Sequence, residues 1–272
     1  ARLNPDGGSL SLTGWITLTN QSGVTFSNAD TRVVAGDVAL INPNNPYGGR
    51  YPQPQRVPSR GNGTEAGGAQ GLADVYIYPL PEPVTVANNQ TKQVGLIDVA
   101  NVPATKRYLF EAHNFGTEET PRAADVAVLF SNSRASGVGT QLLAGVARVY
   151  VNGEPRFIGE DQVPHTPTGS DIIITTGQAF DVTVQPRVVS TAAEPTSRYW
   201  ISRTRFVMEY TVRNARSEAV TVEVRQHGLG RDTRLSAQSI EGVVQDANTI
   251  VWRVPVPANG ETKVTATIVT GG

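Results

Sequence analysis

Cysteine is absent from this 272-residue chain, so a disulfide framework, a thiolate nucleophile and a cysteine-ligated metal site are all excluded. Charge is sparse: acidic and basic residues make up 17% of the chain and the formal net charge is −1. A balance so close to neutral supplies no field for steering toward nucleic acid or an anionic lipid surface, so no nucleic-acid partner is expected. Lysine is scarce, with Lys92, Lys106 and Lys263 the only three among 23 basic residues, which leaves surface cations to arginine. No apolar run approaches the ~20 residues that a membrane-spanning helix requires, so no transmembrane segment is expected. A convincing amphipathic helix is also missing; the segment 236–246 has room for one or two helical turns at most.

What the chain has is strict alternation of apolar and polar residues, the period-two signature of half-buried strands. In GSLSLTGWITLTN, Leu10, Leu12, Ile16 and Leu18 share one parity while Trp15 and Thr17 take the other. Comparable runs occupy 32–41, 75–78, 92–99, 106–112, 125–130, 146–151, 179–184, 205–213, 219–225, 249–254 and 262–270. Clusters of Gly, Asn and Pro separate them at spacings near those of a sandwich. The expected fold is all-β: two immunoglobulin-like antiparallel β-sandwiches in tandem, 1–176 and 177–272, with a long Pro/Gly-rich loop insertion at 42–71. That insertion is rich in Pro, Gly, Asn and Gln and lacks the apolar side chains to offset its ordering cost. Its Tyr47, Arg50, Tyr51 and Arg56 are candidate contacts for a partner subunit or a glycan.

Catalytic signatures are hard to find. The histidines, His113, His165 and His227, fall in separate segments, and the densest local cluster is Glu160, Asp161 and His165. No calcium-loop pattern, Gly-x-Ser-x-Gly elbow or complete phosphate-loop glycine pattern occurs. The chain therefore reads as a non-enzyme with no cofactor and no metal. Asn20-Gln-Ser22, Asn62-Gly-Thr64 and Asn89-Gln-Thr91 match the N-glycosylation pattern, Asn62 being favoured by its loop.

The run LTGWITLTNQSGVTFSNADTRVVAGDV, residues 12–38, resembles a bacterial envelope domain of unknown function found at the C-terminal end of mucoidy-inhibitor-like proteins. Supporting blocks, in order, are LPEPV at 80–84, NQTKQ at 89–93, GED at 159–161 with HTP at 165–167, AFDV at 179–182 and VPANGE at 256–261. The resemblance implies an exported, mostly β protein at the bacterial cell surface or outside the cell, and carries no catalytic residue set. Relatives in this family place a further strand before the stretch corresponding to Leu10. An unfilled groove at that position would expose main-chain groups for pairing with another copy. The expected function is a self-assembling fibre or filament subunit that is its own partner, by strand exchange or edge-strand pairing. The candidate assembly strands carry Leu10, Leu12, Trp15, Ile16 and Leu18 near the start and Val264, Ala266 and Ile268 near the end. A monomeric adhesion or glycan-binding module, presenting Tyr47, Tyr51 and Trp200, is the alternative, and an envelope hydrolase built on Glu160, Asp161 and His165 comes third.

Overall fold

The structure is a computed structural model that describes residues 1–35, 70–72, 75–153, 156–194, 203–230 and 232–271. Every regular element among the described residues is a strand. They are β1 (Arg2–Leu3), β2 (Ser9–Asn20), β3 (Phe26–Ala29), β4 (Arg32–Ala35), β5 (Gln70–Leu72), β6 (Val75–Pro79), β7 (Val84–Val86), β8 (Gln90–Ala112) and β9 (Arg122–Ser131). There follow β10 (Gly145–Val151), β11 (Phe157–Val163), β12 (Asp171–Glu194), β13 (Arg203–Asn214), β14 (Val220–Gln226), β15 (Arg234–Ser236), β16 (Val243–Asp246), β17 (Thr249–Val256) and β18 (Gly260–Gly271). The all-β expectation holds, and no helical turn forms at 236–246, which instead ends β15 and forms β16.

Two compact units are present. Unit 1 gathers Ala1–Ala104, Phe130–Phe157 and Asp161–Ile172; unit 2 gathers Thr105–Leu129, Ile158–Glu160 and Ile173–Gly272. The alternating runs at 92–99 and 106–112 are one continuous strand, β8. Two register shifts against β2, between Leu10 and Leu12 and between Gly14 and Trp15, interrupt the parity that would have revealed the continuity. Purely antiparallel pairing was expected and is corrected to mixed pairing. In unit 1, β1 runs parallel to β10, and in unit 2, β14 runs parallel to β8. Parallel neighbours need a long connection, and more than a hundred residues separate each pair in the chain.

Unit 2 holds the larger core. Antiparallel strands β12, β13, β18 and β15 supply Val182, Met208, Tyr210, Val264 and Ile268, while β8, β14 and β17 supply Phe110, Val222, Val224, Trp252 and Val254, all buried in one cluster. Full burial of each such side chain is worth roughly 1.5–3 kcal/mol. Polar groups inside are matched: the Tyr210 hydroxyl donates to Gln226 Oε1 at 2.5 Å and the Trp252 indole N–H donates to Gln238 Oε1 at 3.0 Å. Burial pushes the Tyr210 phenol above the ordinary tyrosine range.

The two units share a strand framework. In unit 1, β2 ends at the buried Asn20, β3 pairs with β7 through Phe26 and Val86, a turn with positive φ at Asn89 follows, and β8 returns alongside β2. In unit 2, β13 ends at the buried Asn214, β14 pairs with β17 through Val220 and Val256, the turn has positive φ at Asn259, and β18 returns alongside β13. Both corner asparagines are wired alike. Asn20 Nδ2 donates to the carbonyls of Val24 (2.8 Å), Val86 (3.0 Å) and Ala87 (3.1 Å), and its Oδ1 accepts from the Ser22 N–H. Asn214 Nδ2 donates to the carbonyls of Glu218 (2.8 Å) and Pro257 (3.0 Å), and its Oδ1 accepts from the Arg216 N–H. The Asn20 glycosylation reading is thereby corrected: at 7% exposure, with its amide spent on three carbonyls, that side chain is a structural corner.

Candidate functional site

Strand β2 is bonded along its whole length to β8 on one edge, from Ser9 opposite Pro103 to Asn20 opposite Gln90. On its other edge it pairs only with β1, Leu10 opposite Leu3 and Ser11 opposite Arg2. The Asn4 N–H donates to the Ser9 carbonyl at 2.9 Å, so odd-numbered residues of β2 present their main-chain groups to the β1 side. Thr13, Trp15 and Thr17 continue that edge, and none of them has a main-chain partner there among the described residues.

The opposite wall comes from β10. Arg2 lies opposite Tyr150 and Leu3 opposite Val151, with the Tyr150 N–H donating to the Ala1 carbonyl at 2.9 Å and the Asn152 N–H to the Leu3 carbonyl at 2.7 Å. Alternation along this parallel ladder turns the N–H and C=O of Val146 toward the same side as those of Tyr150. Strand β1 thus separates β2 from β10 where it exists. In the register of β1 continued before Ala1, residues 13–16 of β2 lie level with residues 145–148 of β10, two strand spacings or about 10 Å away. Extending the β1 register sets Gly14 level with Ala147 and Trp15 level with Val146. We call this feature the slot.

Its outer face is mixed, with the exposed Arg148 of β10 level with Thr13 of β2. Trp15 is 64% and Val146 54% exposed on the outer face, while Leu12 and Ile16 are half-buried on the inner face beside the buried Leu10 and Val149. Ile16 and Leu18 pack on the small cluster of Leu80, Val84 and Val86. The alternation of β2 accordingly separates an inner set, Leu10, Leu12, Ile16 and Leu18, from an outer set led by Trp15.

The C-terminal set is placed differently. Val264, Ala266 and Ile268 lie at 0–1% exposure in the unit 2 core, and their strand β18 is paired to β13 from Gly260 opposite Asn214 to Gly271 opposite Arg203. Tyr47, Arg50, Tyr51, Arg56, Asn62 and Trp200 lie outside the described residues.

Titratable groups concentrate instead on the outward side of β8, β14 and β17 in unit 2. Glu223, 6% exposed, accepts from Arg107 at 2.7 Å and Arg225 at 3.2 Å; Arg225 also reaches Glu111 at 3.2 Å. Glu111 bonds His227, whose other ring nitrogen lies 3.0 Å from Thr249 Oγ1 and whose ring stacks on His113 at 5.1 Å. The chain of carboxylate, imidazole and hydroxyl has the order of a nucleophile relay, but Thr249 is buried at 4% exposure, out of a substrate's reach. Its structural work is to tie three strands together by side chains. Beside it, the Asn248 backbone N–H, donating at 2.8 Å, holds the Asp246 carboxyl below its usual range.

Among the described residues no group of three or more His, Cys, Asp or Glu side chains gathers around a metal-sized space. His165 Nδ1 accepts from the Ala144 N–H at 3.2 Å and Asp161 Oδ1 from the Gln162 N–H at 2.8 Å, both of them contacts to backbone. The segment 159–163 belongs to strand β11. An open cleft of ≈ 500 Å³ in unit 1 is edged by Leu18, Asn20, Phe26, Asp30, Arg32 and Val86. Among the described residues no helix is long and apolar enough to cross a membrane. No protein-family model, curated protein or solved structure matches the chain.

Proposed function

We propose that this chain is a non-enzymatic structural subunit of a bacterial surface, which assembles with copies of itself by strand exchange or edge-strand pairing between protomers. The observation that supports the reading is the edge of β2, where the main-chain groups of Thr13, Trp15 and Thr17 have no partner among the described residues and Trp15 stands exposed. An extended polypeptide satisfies such an edge. A contact of this kind joins two different surfaces, so it propagates head to tail, and unless its rotation closes a ring it yields a filament. Exported, cell-surface location follows the family resemblance of residues 12–38, and the immunoglobulin-like reading of both units follows their shared strand framework; both belong to the same proposal.

The test is Thr17→Pro. Thr17 turns its N–H to the side of β2 away from β8, so proline there removes a donor from that edge and leaves the β2–β8 ladder intact. Concentrated wild-type protein is expected to form filaments visible by negative-stain electron microscopy, and the variant to stay monomeric with an unchanged unfolding midpoint. A wild-type protein that remains a monodisperse monomer at high concentration, or a variant that polymerises equally well, contradicts the proposal.

A further inference from the structure

We infer that Asn152–Gly153, in the connection between β10 and β11, is a self-modifying site, at which the folded chain converts its own asparagine to isoaspartate and aspartate without an enzyme. The inference is independent of the assembly reading.

The chemistry needs only these two neighbours and water. The Gly153 amide nitrogen attacks the side-chain carbonyl carbon of Asn152. The new N–Cγ bond closes a succinimide ring as the Cγ–Nδ2 bond breaks, and Nδ2 leaves as ammonia, carrying the proton of the Gly153 N–H. Water then opens the ring. Addition at the side-chain carbonyl leaves aspartate; addition at the main-chain carbonyl leaves isoaspartate, whose backbone runs through Cβ and Cγ. A glycine after the asparagine favours closure, because no Cβ obstructs the approach and the backbone turns to the required dihedrals without strain.

Asn-Gly pairs stand at 62–63, 152–153 and 259–260, the first of them outside the described residues. The other two have opposite settings. At 152–153 the ladder holds the chain only as far as the Asn152 N–H, which donates to the Leu3 carbonyl at 2.7 Å. Gly153 is exposed at φ 83°, and a Cβ added there would meet nothing within 4 Å. Its N–H has no partner among the described residues, so the nucleophile is free. The exposed Asn152 carboxamide donates from Nδ2 to Asn4 Oδ1 at 2.7 Å, a surface bond that water replaces at small cost.

At 259–260 the same pair is locked. Odd-numbered residues of β13 bond β12, a parity fixed by the Ala215 N–H donating to the Asp181 carbonyl at 2.7 Å. Even-numbered residues therefore bond β18, and Gly260, opposite Asn214, has its N–H inside that ladder. The Asn259 N–H donates to the Arg216 carbonyl at 2.8 Å, and a Cβ on Gly260 would stand 2.6 Å from Pro257 Cγ. Closure at Asn259 has to wait for the end of the ladder to open.

Conversion at Asn152 changes what it touches. A carboxylate has no proton to give Asn4 Oδ1, and the Asn4 amide already donates to Ser9 Oγ at 2.6 Å. The side-chain link from the end of β10 to the turn after β1 is lost, and a negative charge takes its place.

Folded protein is incubated in mildly alkaline buffer, sampled over days and digested with trypsin. Peptides 149–156 and 254–263 are then read by mass spectrometry for replacement of –NH₂ by –OH and for isoaspartate. A parallel sample is held unfolded in urea at the same pH. In the folded protein, 149–156 is expected to convert roughly tenfold or more faster than 254–263, because only the second site needs local opening; in urea the two rates should converge. Gly153→Ala, which places a methyl in open space, should slow conversion of 149–156 in both samples. A folded protein whose 149–156 stays intact while the unfolded one converts would overturn the inference. So would equal rates at the two sites in the folded protein, or an unchanged rate in Gly153→Ala.

Discussion

The β2–β8 pair of unit 1 and the β13–β18 pair of unit 2 are the same construction with different surroundings. Each begins on a long alternating strand, turns at a buried asparagine and returns through a turn with an asparagine at positive φ. In unit 2 the outer edge of the first strand is covered by β12 along twelve residues of β13; among the described residues the matching edge in unit 1 pairs with β1 at Leu10 and Ser11. The interior follows the edge. Unit 2 buries Tyr210 and Trp252 with rings 5.4 Å apart, whereas the unit 1 cluster that contacts β2 is built on Leu80, Val84 and Val86.

The comparison can be broken or sharpened by mutation. The largest effect is expected from Trp252→Ala, which empties the centre of unit 2 and should cost about 3–5 kcal/mol in urea unfolding; unit 1 has no buried tryptophan among its described residues to mirror it. Next comes Thr211→Pro, the unit 2 counterpart of Thr17→Pro. Thr211 lies opposite Gln185 in a complete ladder, so the lost N–H leaves a carbonyl orphaned and should cost about 1–3 kcal/mol, whereas Thr17→Pro should leave monomer stability unaltered. Equal losses at the two positions would show that the β2 edge is not open.

Asn20→Ala and Asn214→Ala each strand buried carbonyls and are expected to cost about 1–3 kcal/mol apiece, by comparable amounts if the corners are equivalent. Smallest is Tyr210→Phe, expected to cost about 1 kcal/mol through the lost bond to Gln226. It also has a pH signature. The folded-state pKa of Tyr210 is raised by burial, so its contribution is fully present below the unfolded tyrosine pKa of ~10 and is lost as pH rises beyond it. Alkaline unfolding followed by near-ultraviolet absorbance should therefore shift upward in pH in the phenylalanine variant.

Much of the fold was readable because alternation is local. β2, β13, β14, β17 and β18 all announce themselves by period two. The shared framework was not, since SLSLTGWITLTN and RTRFVMEYTVRN agree in little beyond the terminal asparagine and the parity of burial. Asn20 shows why: in sequence it sits in a glycosylation pattern, and only the carbonyls of Val86 and Ala87, brought close by β7, reveal a corner. The slot was half legible. Leu12, Trp15 and Ile16 mark an alternating strand, but the level placement of Val146 with Trp15 depends on a parallel pairing across more than a hundred residues, for which no sequence signal exists. Val264, Ala266 and Ile268 show the converse, since an alternating strand looks the same whether its inner face meets another copy or its own core.

Hydrogen exchange of individual backbone amides, compared between dilute and assembled protein, tests the contrast between the two edges most directly. The account predicts that the amides of Thr13, Trp15 and Thr17 exchange rapidly in the monomer and become protected on assembly, while those of Val207, Glu209 and Thr211, covered by β12, are protected in both states. Protection of the β2 edge in the monomer, or its continued rapid exchange within polymers, would contradict it.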